Sequence, residues 1–230
     1  FYGAGQFSNT AFWYTHWNGT EWLKSKISYY IGTGGEYFSV AMDNNDNVHV
    51  SFTDGFEIQG YSYSRLHYLT NKGGSFVEQD ISDARGGTSI NIDSNGNPAI
   101  AYNYYQQETL TPIINPAYVK WDGSMWIYSN ISDEGSTENL ALALDANNVP
   151  HISYTNNSGE IKYATIHGGS WTTETVASGG DSSIDLDNLG SPHISYHSGN
   201  TKYAKIHDAT HPSEPQNLNA SSGDSYVSLT

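Results

Sequence analysis

Large apolar side chains sit at alternate positions in four short segments: Val40 and Met42, Ile90 and Ile92, Leu142 and Leu144, Ile184 and Leu186. A period of two predicts strands. Each segment runs into an aspartate, Asp43, Asp93, Asp145 or Asp187, and then into a stretch rich in Asn and Gly. Asx side chains bond their own backbone and tolerate positive φ, so each aspartate is expected to open a tight turn. The next strand carries His49, Ala99, His151 or His193 six residues after the aspartate, and Phe52, Tyr102, Tyr154 or Tyr196 three residues further on. A second ruler runs between these segments, a Tyr followed eight residues later by Trp or Phe: Tyr14 and Trp22, Tyr68 and Phe76, Tyr118 and Trp126, Tyr163 and Trp171. Tyr203 opens a fifth copy. Asn18-Gly19, Asp122-Gly123 and Gly168-Gly169 supply turns that make this half a hairpin too.

Two hairpins in every 40 to 54 residues or so make a four-stranded antiparallel unit. Such a unit cannot bury both faces alone, and units stacked radially form a propeller. The predicted fold class is therefore all-β, a β-propeller of four-stranded antiparallel blades, with at least four blades represented. Strands are lettered a to d from the axis outward. The first piece supplies c and d, three units are complete, and the last supplies a, b and c, one strand more than four closed blades need. Three arrangements stay open. A four-bladed ring could close with N-terminal strands and leave one c strand over; these residues could belong to a larger ring, the preferred reading; or neighbouring chains could pair through unfinished edges.

The pattern D-x-x-G-N-P-H-I-S-Y followed by K-Y-A-x-x-x-G-G-S-W, carried over residues 11 to 207 and best seen at Asp187 to Tyr196 and Lys162 to Trp171, resembles the repeats of secreted or surface propellers of bacteria and archaea. The resemblance implies the fold and an extracellular or cell-surface setting, not an activity. The tail from Pro212 through Leu218 to Thr230 resembles the opening of a fibronectin type III domain. The expected organisation is thus a propeller over 1–208, a linker at 209–215 and the start of a fibronectin-like domain at 216–230, within a longer modular protein.

Composition narrows the partners. The 24 acidic and 9 basic residues give a formal charge of −15, and the basic ones do not cluster, which argues against nucleic acid and anionic membrane surfaces. No apolar run approaches the roughly 20 residues of a membrane span, so no membrane insertion is expected. Cysteine is absent, so disulfides and thiolate metal sites are excluded. The 18 Tyr, 7 Phe and 6 Trp supply the buried area a folded chain needs. N-x-S/T sequons at Asn18, Asn130, Asn156 and Asn219 fall in or beside expected turns and are candidate glycosylation sites.

The regular positions read as architecture. His49, His151 and His193 are spread one per blade and cannot converge on one metal ion, so they are expected to bond within or between blades. Trp22, Trp126 and Trp171 recur at packing positions between blades. The turns at 43–47 and 93–97 carry some of the oxygen ligands of a calcium loop but lack its distal bidentate carboxylate. No cofactor is expected, calcium being the one with any support.

Departures from the repeat are more informative. Insertions between strands b and c, Thr53 to Arg65 and Asn103 to Pro116, share one face with the d-to-a connections. That face is expected to gather Tyr29, Tyr61, Tyr63, Tyr104, Tyr105, Glu108, Asp83 and Asp133 as ligand-binding residues, since rigid rings beside polar groups suit glycan or protein recognition. The leading expectation is a non-catalytic extracellular binding or adhesion module whose partner is a glycan or an extracellular protein. One alternative is a carbohydrate-active enzyme; sialidase chemistry fits poorly because the chain has only Arg65 and Arg85 as arginines. The other is a structural subunit that self-associates through the edge strands of an incomplete blade.

Overall fold

The computed structural model describes residues 9–31, 37–58, 61–106, 113–136 and 139–205, and contains no helix among them. The strands are β1 (Asn9–Trp17), β2 (Trp22–Ile31), β3 (Tyr37–Met42), β4 (Val48–Ile58), β5 (Tyr61–Thr70), β6 (Val77–Ile92), β7 (Pro98–Gln106), β8 (Ile113–Trp121), β9 (Trp126–Asn130), β10 (Leu140–Leu144), β11 (Pro150–Thr155), β12 (Glu160–His167), β13 (Ser170–Ser178), β14 (Gly180–Leu186), β15 (Pro192–Ser198) and β16 (Asn200–Lys205). Every pairing joins chain neighbours antiparallel. The order is a β1-β2 pair, a continuous run β3 to β9, a four-stranded β10 to β13 and a three-stranded β14 to β16.

The seven-stranded run is two four-stranded units sharing one strand. The first part of β6 pairs with β5 as strand d, and the rest pairs with β7 as strand a of the next unit. The sequence reading put a loop at Asp83 and Arg85; the structure corrects this to continuous strand. The turn between units is made by a register shift between Ala84 and Thr88, with Gly86 at φ 88°, and by burial of Ala84. The insertion at Thr53 to Arg65 is likewise no free loop: β4 and β5 stay paired from His49↔Thr70 out to Ile58↔Tyr61. The stretch 206–230, with the expected linker and fibronectin-like segment, lies outside the described residues.

The four a-to-b turns share one construction. The Oδ1 atoms of Asp43, Asp93, Asp145 and Asp187 each accept N–H bonds of 2.8–2.9 Å from residues two and four further on. The third residue past each aspartate has positive φ, and it is Asp46, Gly96, Asn148 or Gly190, the residue types that enter this region at least cost.

Sheets stack through repeated contacts. Trp126 meets the ring of Tyr68 edge-on at 5.2 Å, Trp171 meets Tyr118 at 5.5 Å, and Phe76 meets Tyr14 at 5.9 Å. In each pair an aromatic in strand d, or for Phe76 directly before it, packs on the c-strand tyrosine of the preceding sheet. Nearer the a strands, hydroxyls cross the gap: Ser39 Oγ accepts from Ile90 N and Ser89 Oγ from Leu142 N, both at 3.1 Å. Thr88 donates to Ser51 and Ser182 to Ser153 at 2.9 and 3.0 Å; the same position between the middle sheets holds Ala101 and Leu140, which join an apolar cluster instead. Three such clusters fill the gaps, centred on Ile100 and Val119, on Ile152 and Tyr154, and on Ile161 and Ile194.

If the d-strand aromatics hold the stack, Trp171→Ala should cost about 2–4 kcal/mol. Trp22, which is 67% exposed, should cost under about 0.5 kcal/mol when truncated. Urea unfolding of the two variants measures the contrast.

Candidate functional site

Alternation along β7 puts Tyr102 and Tyr104 on one face of the sheet and Tyr105 on the other. Register then sets Asn115 opposite Tyr104 and places Ala117 between Tyr102 and Asn130. Tyr128, two residues before Asn130 on β9, shares that face. Together with Asp133 from the d-to-a connection these residues enclose a cavity of about 390 Å³, completed by Ser82 from β6 and by Ser129.

One small residue opens this space. Ala117 holds the position directly before the c-strand tyrosine, where the other units carry Trp13, His67, Lys162 and Lys202. Lys162 in the next full unit is buried, and its Nζ lies 3.0 Å from Glu134 Oε2. In the β7–β8–β9 sheet no long side chain fills the equivalent place.

The walls are largely aromatic, with polar groups held in place by hydrogen bonds. Tyr102 donates its hydroxyl to Ser82 Oγ at 3.3 Å, and Tyr128 donates to the Ile81 carbonyl at 2.9 Å, so both phenols are tied to the preceding sheet. Burial pushes the Tyr102 phenol up to about 12, only partly offset by its bond to Ser82, so it stays a neutral donor. Burial raises Tyr128 as well. Asn130 Nδ2 bonds Asp133 Oδ1. No Lys, Arg or His lines the cavity among the described residues. Phenols, amides, hydroxyls and one carboxylate suit a neutral, hydroxyl-rich ligand better than an anion.

Of the eight residues expected on this face, Tyr104 and Asp133 line the cavity. Asp83 is exposed on β6 beside Ser82. Tyr105 is a correction: it is 7% exposed on the opposite face, with the Arg85 guanidinium 5.7 Å from its ring centre. The backbones of Tyr29, Tyr61 and Tyr63 pair within β2 and β5, while their side chains and the whole of Glu108 lie outside the described residues. Sequence reasoning missed Tyr102, Asn115, Ala117 and Tyr128. Comparing the residue before each c-strand tyrosine would have singled out Ala117.

The remaining expectations fall into place around the site. Asn18 is exposed, Asn130 is exposed in the cavity wall, and Asn219 lies outside the described residues. Asn156 is a further correction: it is buried, with Nδ2 donating to Glu160 Oε2 at 2.8 Å and Oδ1 accepting from Ser158 and Glu160, so it cannot carry a glycan in the fold. The repeat histidines bond within their own sheets. His49 and His151 meet Tyr68 and Tyr163 hydroxyls at 2.6 Å through Nδ1, and His193 meets Tyr203. The carboxylates of the calcium-like turns are engaged by their own turn amides and by Asn47 and Asn97. Among the described residues, side chains with metal-ligand spacing occur at His67, Glu78 and Asp80, one sheet away from the cavity.

A second hollow of about 270 Å³ lies between the β1–β2 hairpin and β3–β5. Phe12, Ile27, Phe38, Val40 and Phe52 make it largely apolar, with the hydroxyls of Tyr14, Thr15 and Ser39 as its polar side-chain groups.

A comparison with protein-family models finds no match, and none is found among curated protein sequences. Solved structures do match. A lectin of Aleuria aurantia in complex with α-methyl-L-fucoside superposes with a TM-score of 0.63 at 12% identity, over 88% of this chain and 68% of the lectin. A protein of unknown function from Dyadobacter fermentans gives 0.61 at 10% identity, over 89% of this chain and 70% of that one. An α-L-arabinanase of Penicillium chrysogenum complexed with arabinobiose gives 0.50 at 14% identity, over 74% and 60%. At these identities the likeness is one of fold. The lectin and the arabinanase are propellers, so the stacked sheets of this chain are propeller-like.

The turn chemistry carries a pH prediction. Burial alone would raise Asp43, but bonds from the Asn47 side chain and from the Asn47 and Asn45 amides, with His49 beside it, outweigh burial and lower it from 3.8 to about 2. Its contribution is present above the unfolded value of 3.8 and is lost as pH falls through about 2. Asp43→Asn should therefore remove about 2 kcal/mol of the stability lost between pH 4 and pH 2. Unfolding at stepped pH, with both proteins side by side, measures it.

Proposed function

We propose that the chain is a non-catalytic binding module of an exported or cell-surface protein, and that it holds a neutral glycan in the cavity on β7, β8 and β9. The observation that carries this reading is the space left by Ala117, walled by Tyr102, Tyr104 and Tyr128 with amides at the rim and no cation among its described lining residues. The fold shared with a fucoside-bound lectin supports it. On this reading the four-stranded units are propeller blades, and the ring is larger than four blades. Residues 216–230 begin a fibronectin-like module. Asn18 is the preferred glycan acceptor, because a glycan on Asn130 would occupy the cavity mouth.

Binding is favoured over catalysis by the carboxylate count. Glycoside hydrolysis generally needs two carboxyl groups flanking the bond. Among the described residues the cavity wall offers only Asp133, which is bonded to Asn130.

A glycan array followed by calorimetry tests the site. Ala117→Met fills the space with a flexible uncharged side chain, so it should fold, at a cost of about 1–3 kcal/mol, while abolishing binding. Tyr104→Ala should weaken binding at least tenfold. An array without a hit, or equal binding by the native chain and both variants, would overturn the proposal.

A second reading, self-association, draws on the edges: β1 and β16 each pair on one side only among the described residues. Sedimentation velocity across a hundredfold concentration range should then show dimers or larger species that vanish when residues 1–28 are removed. A monomer at every concentration rejects it.

A further inference from the structure

The repeat position emptied by Ala117 is filled one sheet earlier by His67 on β5. This ring is buried and lies flat against Phe52, with centroids 4.7 Å apart and planes within 11°. Three carboxylates surround it. Nδ1 lies 2.9 Å from Asp80 Oδ1 and 3.2 Å from Glu78 Oε1, while Nε2 lies 3.1 Å from Asp54 Oδ2. The opposite oxygens are already engaged: Asp80 Oδ2 accepts from Arg65 Nη1 at 3.0 Å, and Asp54 Oδ1 accepts from the Arg65 amide at 3.1 Å.

Two features of this cluster point to a cation on Nδ1. A ring nitrogen carries one proton, yet two carboxylate oxygens crowd it within hydrogen-bond distance. Both ring nitrogens are buried, and neither makes a hydrogen bond of good geometry despite these close oxygens. The oxygens therefore sit to the side of the ring N–H directions. That is how ligands stand around a metal ion, because the ion takes the axis of the nitrogen lone pair and the other donors lie off it. Metal–ligand bonds of about 2.0–2.2 Å put adjacent donor atoms roughly 3.0–3.5 Å apart. The two Nδ1 contacts lie close to this spacing.

We propose that His67 Nδ1, Glu78 and Asp80 form a site for a divalent transition metal, best matched by Zn²⁺. One imidazole and two carboxylates are a donor set that Zn²⁺ accepts, and three protein ligands leave further positions for water. Asp54 lies 3.1 Å from the other ring nitrogen and adds negative charge beside the ligating ring. Glu78 and Asp80 are partly exposed and give the ion a route from solvent. The bound ion would tie strands c and d of this sheet together, independently of any ligand in the cavity.

The test is calorimetry on the whole chain after chelator treatment, with ZnCl₂ as titrant and CaCl₂ as comparator. One Zn²⁺ per chain is expected at micromolar affinity or better, with at least tenfold weaker Ca²⁺ binding and a raised melting temperature in Zn²⁺. Glu78→Gln and Asp80→Asn alter exposed side chains and should fold, and each should weaken Zn²⁺ binding at least tenfold. His193→Gln should leave it unchanged. Absence of saturable Zn²⁺ binding, or undiminished binding in the Glu78→Gln, Asp80→Asn double variant, would overturn the proposal.

Discussion

Beside the hydroxyl and apolar contacts, three of the joints between successive sheets share one element, a tyrosine on strand c packed against an aromatic of the following sheet. In the first full unit the Tyr68 hydroxyl meets His49 within its own sheet, while its ring receives the edge of Trp126 from the following sheet. One side chain thereby locks the b and c strands together and offers the surface on which the next sheet sits. The Tyr68–Trp126 and Tyr118–Trp171 contacts repeat nearly the same edge-to-face geometry, at 5.2 and 5.5 Å. Where the histidine is replaced by Ala99, the ring contact persists between Tyr118 and Trp171. Stacking is therefore the more indispensable half of the joint, and the hydrogen bond to histidine is a reinforcement.

A fixed joint makes the neighbouring positions free to diverge. The residue just before the tyrosine faces the space between b and d strands near the b-to-c end of the sheet, and three units treat it differently. His67 gathers carboxylates, Lys162 reaches Glu134 and Glu160, and Ala117 leaves a cavity. A cation in this place is stable only with charged partners, since an unpaired buried charge is costly. The unit without the cation also lacks those partners: Tyr102 and Asn130 stand beside Ala117, where His67 has Phe52 and Asp80. Charge and counter-charge have been replaced together, which is what keeps the emptied position soluble in the fold.

Much of this architecture was legible in the chain because its signals are local. Period-two alternation located the strands, and the Asx turns located the tips; both depend on residues a few positions apart. The merger of two strands into β6 was not legible, because Gly86 and Gly87 look like a loop and only tertiary burial of Ala84 keeps the segment extended. Tyr104 and Tyr105 looked equivalent as neighbours in an insertion, yet once the insertion is strand their parity sends one to the cavity and the other into the core. Asn156 reads as an exposed sequon until Glu160 claims its amide. The cavity itself is an absence of side chain, and absence shows in a sequence only when one repeat is laid against another.

The position of the cavity has an energetic consequence. Its aromatic walls come from paired strands, and two of its tyrosines are already hydrogen-bonded to the preceding sheet. A ligand entering it need not order a loop, so little of its contact energy is offset by conformational entropy. Tyr104 and Asn115, a cross-strand pair of β7 and β8, are both part of the wall. Any affinity of the proposed site would thus come from the sheet itself, whose aromatic walls are set by strand pairing.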